Sequence, residues 1–203
     1  MRVWMALACV ATLAACANDT GTDHSQAEVA AAAYSMPGPK YLTLMTMVNN
    51  RSGSGGHTAL VINGSQQVIF DPAGSFRDPR VVERGDVLYG MSPKWLQAYK
   101  SAHARSTFHV ISQTVPVTDA QAEKLLNLVM ANGQVPGAYC TRSASSLLSK
   151  VPGFEGISTT FYPVSLSEQF ASLPNATIEK YYENDDGDVI DAVRAGQLSQ
   201  QQQ

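Results

Sequence analysis

The chain has 203 residues, with 14 basic and 17 acidic side chains and a formal net charge of -3. It carries no basic run or basic excess, which excludes the electrostatic footprint of a nucleic-acid-binding protein. Once a leader, a tether and a tail are set aside, about 150 residues remain, which is the usual size of one domain with a single core.

The first 15 residues have the pattern of an export signal. Arg2 supplies a positive charge, residues 3–13 are almost wholly apolar, and small residues precede Cys16. This apolar run is shorter than the roughly 20 residues that cross a bilayer, so we expect cleavage rather than a membrane span. The Leu-Ala-Ala sequence directly before Cys16 resembles the lipobox of bacterial lipoproteins, in which the cysteine takes a diacylglycerol and becomes the new N-terminus.

The lipobox resemblance implies a location and a partner. Lipid on Cys16, with acyl chains such as palmitate, would hold the protein at a membrane. Ala17 after this cysteine resembles the outer-membrane sorting pattern, which implies the cell envelope and the periplasmic face of the outer membrane. The alternative is an ordinary secretory leader with an incidental cysteine. We expect a monomer with no nucleic-acid partner.

Composition divides the rest of the chain into three parts. Residues 16–39 are rich in Ala, Ser, Thr, Gly and Asp and end in Pro-Gly-Pro, which predicts a flexible tether. Residues 40–193 are predicted to form one folded domain. Residues 194–203 are rich in glutamine and are predicted to be a disordered tail.

Hydrophobic periodicity and turn signals predict a mixed α+β domain. Strands are predicted over residues 41–48, 57–62, 67–70, 107–117 and 178–182. The second and third strands are joined by a hairpin at Asn63-Gly64. Helices are predicted over residues 93–104, from a capping box at Thr118 to a stop at Gly133, over residues 141–150 and over residues 167–172.

Cysteine usage isolates one thiol in the folded domain. Cys9 leaves with the leader and Cys16 is consumed by lipid, so only Cys140 remains. A lone thiol in an oxidising compartment is buried and inert, paired between chains, or retained for chemistry. Cys140 is predicted at the N-terminus of a helix, where the helix dipole stabilises a thiolate and lowers its pKa.

A nucleophilic thiol needs a base, and His57 is the best placed of the four histidines. It follows a glycine-rich loop and precedes an apolar strand. The alternative is a polar residue at a strand start that faces water. His103 is predicted to be a solvated helix residue and His109 to lie on the outer face of a strand.

The sequence predicts no metal and no cofactor. No two His, Cys or acidic residues show metal-ligand spacing. The acidic run at residues 184–188 lacks the distal Glu that a calcium loop needs, so it is interpreted as a solvated turn.

Three short segments, taken in order, resemble a known group of enzymes. They are Gly-His-Thr-Ala-Leu-Val-Ile at residues 56–62, Val-Ile-Phe-Asp-Pro-Ala-Gly at residues 68–74, and Tyr-Cys-Thr-Arg-Ser-Ala at residues 139–144. Together they look like a circularly permuted papain-like fold, of the group related to NlpC-type cell-wall peptidases and to lecithin retinol acyltransferase. Unpermuted members place the cysteine helix before the histidine strand. The resemblance implies a small antiparallel sheet packed against a cysteine-bearing helix.

The same resemblance implies catalytic roles for Cys140, His57 and Asp71, the last as the polar residue on the strand after the histidine. Thr141 stands where permuted members commonly carry Ser. The alternative for Asp71 is a residue that opens a turn at Asp-Pro-Ala-Gly.

The length of the hairpin loop decides whether His57 can meet Asp71. A two-residue turn at Asn63-Gly64 would put these side chains on opposite faces, whereas a three-residue connection at residues 63–65 would set them directly across from each other. The catalytic assignment therefore predicts an odd-numbered loop or a bulge.

These residues lead to a functional hypothesis. Cys140 attacks an amide or ester carbonyl, His57 moves the proton, Asp71 fixes the histidine tautomer, and backbone N–H groups at the helix start meet the oxyanion. We expect a lipid-anchored envelope thiol hydrolase, an amidase or peptidase acting on peptidoglycan. The alternatives are an acyltransferase or thioesterase on a lipid or acylated substrate, and a non-catalytic envelope scaffold with a buried Cys140.

Overall fold

The computed structural model describes residues 23–201, with side chains to residue 197. The predicted export signal and Cys16 lie outside the described residues. Within the described part of the chain, no helix is both long and apolar enough to cross a membrane.

The described residues form seven strands and six helices. The strands are β1 (Tyr41–Asn49), β2 (Gly55–Asn63), β3 (Gln67–Phe70), β4 (Glu83–Arg84), β5 (Val87–Leu88), β6 (Phe108–Pro116) and β7 (Thr177–Tyr181). The helices are α1 (Gln26–Ala31), α2 (Pro93–His103), α3 (Asp119–Asn132), α4 (Cys140–Leu148), α5 (Pro163–Ala171) and α6 (Val189–Gln201). All strand pairs are antiparallel, in the order β4-β5-β3-β2-β1-β6-β7. The predicted α+β class is confirmed.

Helices cover both faces of the sheet. Leu60 and Ile62 of β2 belong to a core cluster with residues of α3, α4 and α5. Ala59 and Val61 belong to a second cluster with residues of α2 and α6. Because both side-chain faces of β2 are packed, residues 58–63 are buried without interruption rather than alternating with exposed positions.

The hairpin between β2 and β3 has a connection of three residues. Asn63 pairs with Gln67 and Leu60 pairs with Phe70, which leaves residues 64–66 outside the ladder. The predicted odd-numbered loop is confirmed, but it lies one residue later than residues 63–65. Continuing the register, Asp71 falls beside Ala59, so it is the diagonal neighbour of His57 on the same face and not its direct partner.

The structure differs from the predicted flexible tether over residues 23–39. Ser25 and Glu28 form a capping box that starts α1, and Val29 on this helix is buried in the core. The Asp23 carboxylate accepts a hydrogen bond from the Gly85 N–H at 2.7 Å. A capped helix with one buried side chain therefore extends the packed domain before residue 40.

The structure also differs from the predicted disordered tail. The last helix, α6, extends from Val189 to Gln201. Val193 is buried against the cluster that contains residues of α2. The short apolar stripe before the glutamines anchors the helix, and the glutamine-rich end continues it.

Candidate active site

His57 and Asp71 form a largely buried pair near the start of β2 and just after the end of β3. The Nε2 atom of His57 lies 2.6 Å from Oδ1 of Asp71. The His57 side chain is 17% exposed and that of Asp71 is 1% exposed. One edge of the imidazole is therefore held by a carboxylate, which leaves Nδ1 for another partner.

The Asp71 carboxylate is held by α2 as well as by His57. The Tyr99 hydroxyl, which is fully buried, donates a hydrogen bond to the same Oδ1 at 2.6 Å. Gly74 packs against the other oxygen, since a Cβ at this position would lie 1.9 Å from Oδ2 of Asp71. A side chain at residue 74 would displace the carboxylate. The described position of the Asp71 carboxylate therefore requires glycine at residue 74.

A second buried carboxylate, Asp86, connects the Asp71 turn to the loop before α4. The N–H of Asp71 donates to the Asp86 carbonyl at 2.8 Å. The Asp86 Oδ2 atom accepts from the N–H groups of Ala73 at 2.9 Å and Val135 at 2.8 Å. Asp86 therefore fixes the position of the acid and of the chain that leads to Cys140.

Cys140 is the first residue of α4 and is half-buried. Tyr139 precedes it and makes no side-chain capping hydrogen bond, so the N–H groups of the first turn are not capped from that residue. The Thr141 hydroxyl lies 2.9 Å from the Thr58 hydroxyl, and both side chains are fully buried. This hydroxyl pair fastens the N-terminus of α4 to the residue that follows His57.

The three side chains shift one another's pKa values. Burial raises the pKa of Cys140, but a hydrogen bond to His57, the charge of His57, and hydrogen bonds from Thr141 and the Thr58 backbone outweigh it, and the pKa falls to about 7. Burial opposes protonation of His57, but the charge and hydrogen bond of Asp71, with a contribution from Cys140, raise its pKa to about 10. Burial also raises the pKa of Asp71, but the charge and hydrogen bond of His57 lower it to about 2.

These values define the charge state of the site. The lowered pKa of Cys140 and the raised pKa of His57 both favour a thiolate–imidazolium pair over the neutral pair. The two protonation steps belong to the pair as a unit, since the groups interact strongly. A thiolate at neutral pH is the nucleophilic form of cysteine.

The prediction that His103 is solvated is wrong. Its side chain is buried, and Nδ1 donates a hydrogen bond to the Tyr99 carbonyl at 2.8 Å. Its ring is stacked with that of His57, with centroids 5.9 Å apart. Burial lowers the pKa of His103 to about 4, although Asp71 opposes this shift. The His103 ring, whose pKa is lowered, therefore stacks on the His57 ring, whose pKa is raised.

The structure brings together a His-Asp-His group that the sequence spacing did not predict. Nitrogen or oxygen atoms of His57, Asp71 and His103 all lie within 4.8 Å of one another. The His57 and Asp71 atoms already bond to each other, and Tyr99 occupies the same carboxylate oxygen. Among the described residues, all three members of this group therefore already form hydrogen bonds within the protein.

The three predicted site residues come together, while Tyr99, Gly74 and Asp86 were missed. Gly74 stands in the Asp-Pro-Ala-Gly motif that was interpreted as a turn. Tyr99 and Asp86 carry no sequence signal beyond ordinary helix and turn positions. No family model, curated protein or solved structure matches the chain.

Proposed function

We propose that this chain is a lipid-anchored envelope thiol hydrolase that cleaves an amide through Cys140, His57 and Asp71. The observation that carries the proposal is the 2.6 Å contact between the His57 ring and the buried Asp71 carboxylate, with Cys140 at the uncapped start of α4 and Thr141 of the same helix held to Thr58. The lowering of the Cys140 pKa by His57 supports it. A structural cysteine would need neither a protonated base nor an oriented one.

The proposed reaction has two stages. The Cys140 thiolate attacks the carbonyl carbon, and uncapped N–H groups at the start of α4 stabilise the oxyanion. The carbon–nitrogen bond then breaks, and His57 gives its proton to the leaving amine. In the second stage His57 takes a proton from water, which attacks the thioester and releases the carboxylate and Cys140.

The proposed relationship is to permuted papain-like enzymes. The order of the elements along the chain supports it, since the strand with His57 comes first, Asp71 follows, and the helix with Cys140 comes last. The antiparallel sheet, in which β2 contacts α4, supports it as well. The diagonal placement of His57 and Asp71 on one face is compatible with the roles that the resemblance implies. Attachment through lipid on Cys16 and a periplasmic location on the outer membrane rest on the sequence pattern of residues 1–17.

Peptidoglycan is the proposed substrate, because a lipid-anchored domain lies within reach of the cell wall. This step is an analogy with the family that the chain resembles. An acyltransferase or thioesterase would use the same acyl–cysteine intermediate. A non-catalytic scaffold would not need the thiolate.

The test compares wild-type protein with Cys140→Ala, using isolated peptidoglycan and mass spectrometry of the released fragments. We expect wild-type protein to generate new amino groups and the variant to lose at least about 10³-fold of this activity, with unchanged circular dichroism. Ser146→Ala on the same helix is the matched control and should retain activity. Equal activity of wild type and Cys140→Ala would refute the assignment.

A further inference from the structure

A cavity of about 330 Å³ opens beside the ring of His57. It is lined by residues near the start of β2, the end of α2 and the start of α6, including Met47, Gly56, His57, Ala73, Phe108 and Val189. Its volume lies at the small end of the range of ligand sites. Cys140 is not among the lining residues.

We infer that this cavity takes the leaving-group part of the substrate, and that this part is apolar and uncharged. The inference rests on the proposed function and names the substrate class of the same site. In the proposed reaction the acyl group becomes bonded to Cys140, whereas the leaving group receives its proton from His57. A cavity that touches the imidazole but not the sulfur therefore lies on the leaving-group side.

The two layers of the fold support this separation. Thr58 contacts Thr141 of α4, the helix that begins with Cys140. His57 instead shares its face with Ala59 and stacks on His103 of α2. The cavity is on this second side, because its lining includes His103.

The lining favours an apolar group. Met47, Phe108 and Val189 supply hydrocarbon surface, and the Phe108 ring lies against Gly56, where a Cβ would be 2.7 Å from a ring carbon. Each methylene buried there would improve binding roughly fourfold.

The charged lining residues disfavour an anion. The charge of the His57 imidazolium is balanced by Asp71, 2.6 Å away. The Arg105 guanidinium lies 3.9 Å from Glu183 and 3.8 Å from Asp185, so its charge is balanced as well. Asp188 adds a negative charge to the wall. A leaving group with a free carboxylate would meet this charge, whereas an alkyl or aryl group would not.

The experiment uses thioesters with one acyl group and three leaving groups, namely S-methyl, S-butyl and S-benzyl thioacetate. Cys140 forms a new thioester with the acetyl group, the carbon–sulfur bond of the substrate breaks, and the leaving thiolate takes the His57 proton. Water then releases acetate. We expect kcat/KM to be at least about tenfold higher for the butyl and benzyl compounds than for the methyl compound.

Two tryptophan variants of the full chain locate the effect. Thr107 is an exposed residue that lines the cavity, so Thr107→Trp should obstruct it and bring the butyl-to-methyl ratio close to one. Asn127→Trp on the exposed side of α3 is the control and should keep the wild-type ratio. A wild-type ratio near one, or the same ratio in Thr107→Trp as in wild type, would overturn the inference.

A binding measurement separates this inference from the hydrolase proposal. Benzyl alcohol, a neutral analogue of the leaving group, is titrated into Cys140→Ala, and the ring protons of His57 and His103 are followed by NMR. We expect a saturable shift that Thr107→Trp abolishes. Saturable binding without thioester turnover would refute the hydrolase alone, whereas absence of any shift would refute the cavity assignment whatever the turnover.

Discussion

The two halves of the candidate site are built in opposite ways. On the histidine side, Asp71 is buried and makes hydrogen bonds to His57 and Tyr99. On the cysteine side, Cys140 is half-buried at an uncapped helix start. The proposed base is thus held by buried hydrogen bonds, while the proposed nucleophile lies at a partly exposed helix start.

This difference shows how a buried charge can be used. The Asp71 carboxylate is costly to bury, and its interaction with His57 compensates for that cost. The compensation raises the pKa of His57, and the protonated ring then lowers the pKa of Cys140. The charge that lowers the pKa of the half-buried thiol therefore depends on the buried Asp71 carboxylate.

Among the substitutions on the histidine side, removing the charge of Asp71 should reduce activity most. In Asp71→Asn the largest influence that raises the pKa of His57 is lost, so this pKa falls, because only Cys140 still opposes the effect of burial. We expect kcat to fall by about 10² to 10⁴-fold, with a smaller change in KM, in the peptidoglycan or thioester assay. Asp78→Asn, which breaks a pair with Arg80 elsewhere, should retain activity; equal loss in both variants would refute a specific role for Asp71.

Displacing the carboxylate without removing it should have an intermediate effect. Gly74→Ala introduces a Cβ that would lie 1.9 Å from Oδ2 of Asp71, so the acid must shift away from its present position. We expect activity to fall by about 10 to 100-fold, because a displacement of about 1 Å at a catalytic group can cost about 10²-fold. Gly156→Ala meets nothing within 4 Å and is the matched control. Full activity of Gly74→Ala would contradict the described packing of the carboxylate.

Loss of the Tyr99 hydroxyl should have the smallest effect of the three. This hydrogen bond helps to lower the pKa of Asp71, so Tyr99→Phe should raise that pKa. We expect kcat to fall about tenfold with KM little changed. The stability that Asp71 contributes above its unfolded pKa is lost in wild type as pH falls through about 2, and in the variant it should be lost at higher pH.

The control for Tyr99→Phe is Tyr41→Phe. Its hydroxyl bonds to Gln67 away from the site, so the variant removes a hydrogen bond of the same kind. Urea unfolding at several acidic pH values measures both variants. An identical acid dependence in Tyr99→Phe and Tyr41→Phe would mean that Tyr99 acts only as a packing residue.

Local sequence patterns predicted the elements of the fold but not the contacts between distant turns. The capping box at Thr118, the proline after Ser92 and the cysteine before an apolar helical face each mark a boundary that the structure reproduces. Asp86 links Ala73 to Val135, which are 62 positions apart in the chain, through a carboxylate in an ordinary turn. Nothing in the spacing of these residues indicates such a link.

Residues whose burial depends on another element were predicted least well. His103 lies beside Lys100 and Arg105, which favoured a solvated position, but α2 packs its ring against His57 and Tyr99. Residues 23–39 looked polar and small, yet one capped turn and Val29 hold them to the domain. In both cases contacts with other elements of the domain outweigh the exposure that the local composition predicts.

The pH dependence of Cys140 alkylation by iodoacetamide tests the thiolate–imidazolium pair most directly. Mass spectrometry of the peptide that contains Cys140 gives its rate in the full chain. The rate should rise with pH around a midpoint near 7 in wild type, with a second change near 10 as His57 loses its proton. In His57→Ala the midpoint should move upward, because burial is then opposed only by the hydrogen bonds from Thr141 and the Thr58 backbone. A wild-type midpoint near 9 that His57→Ala leaves in place would contradict the activation of Cys140 by His57.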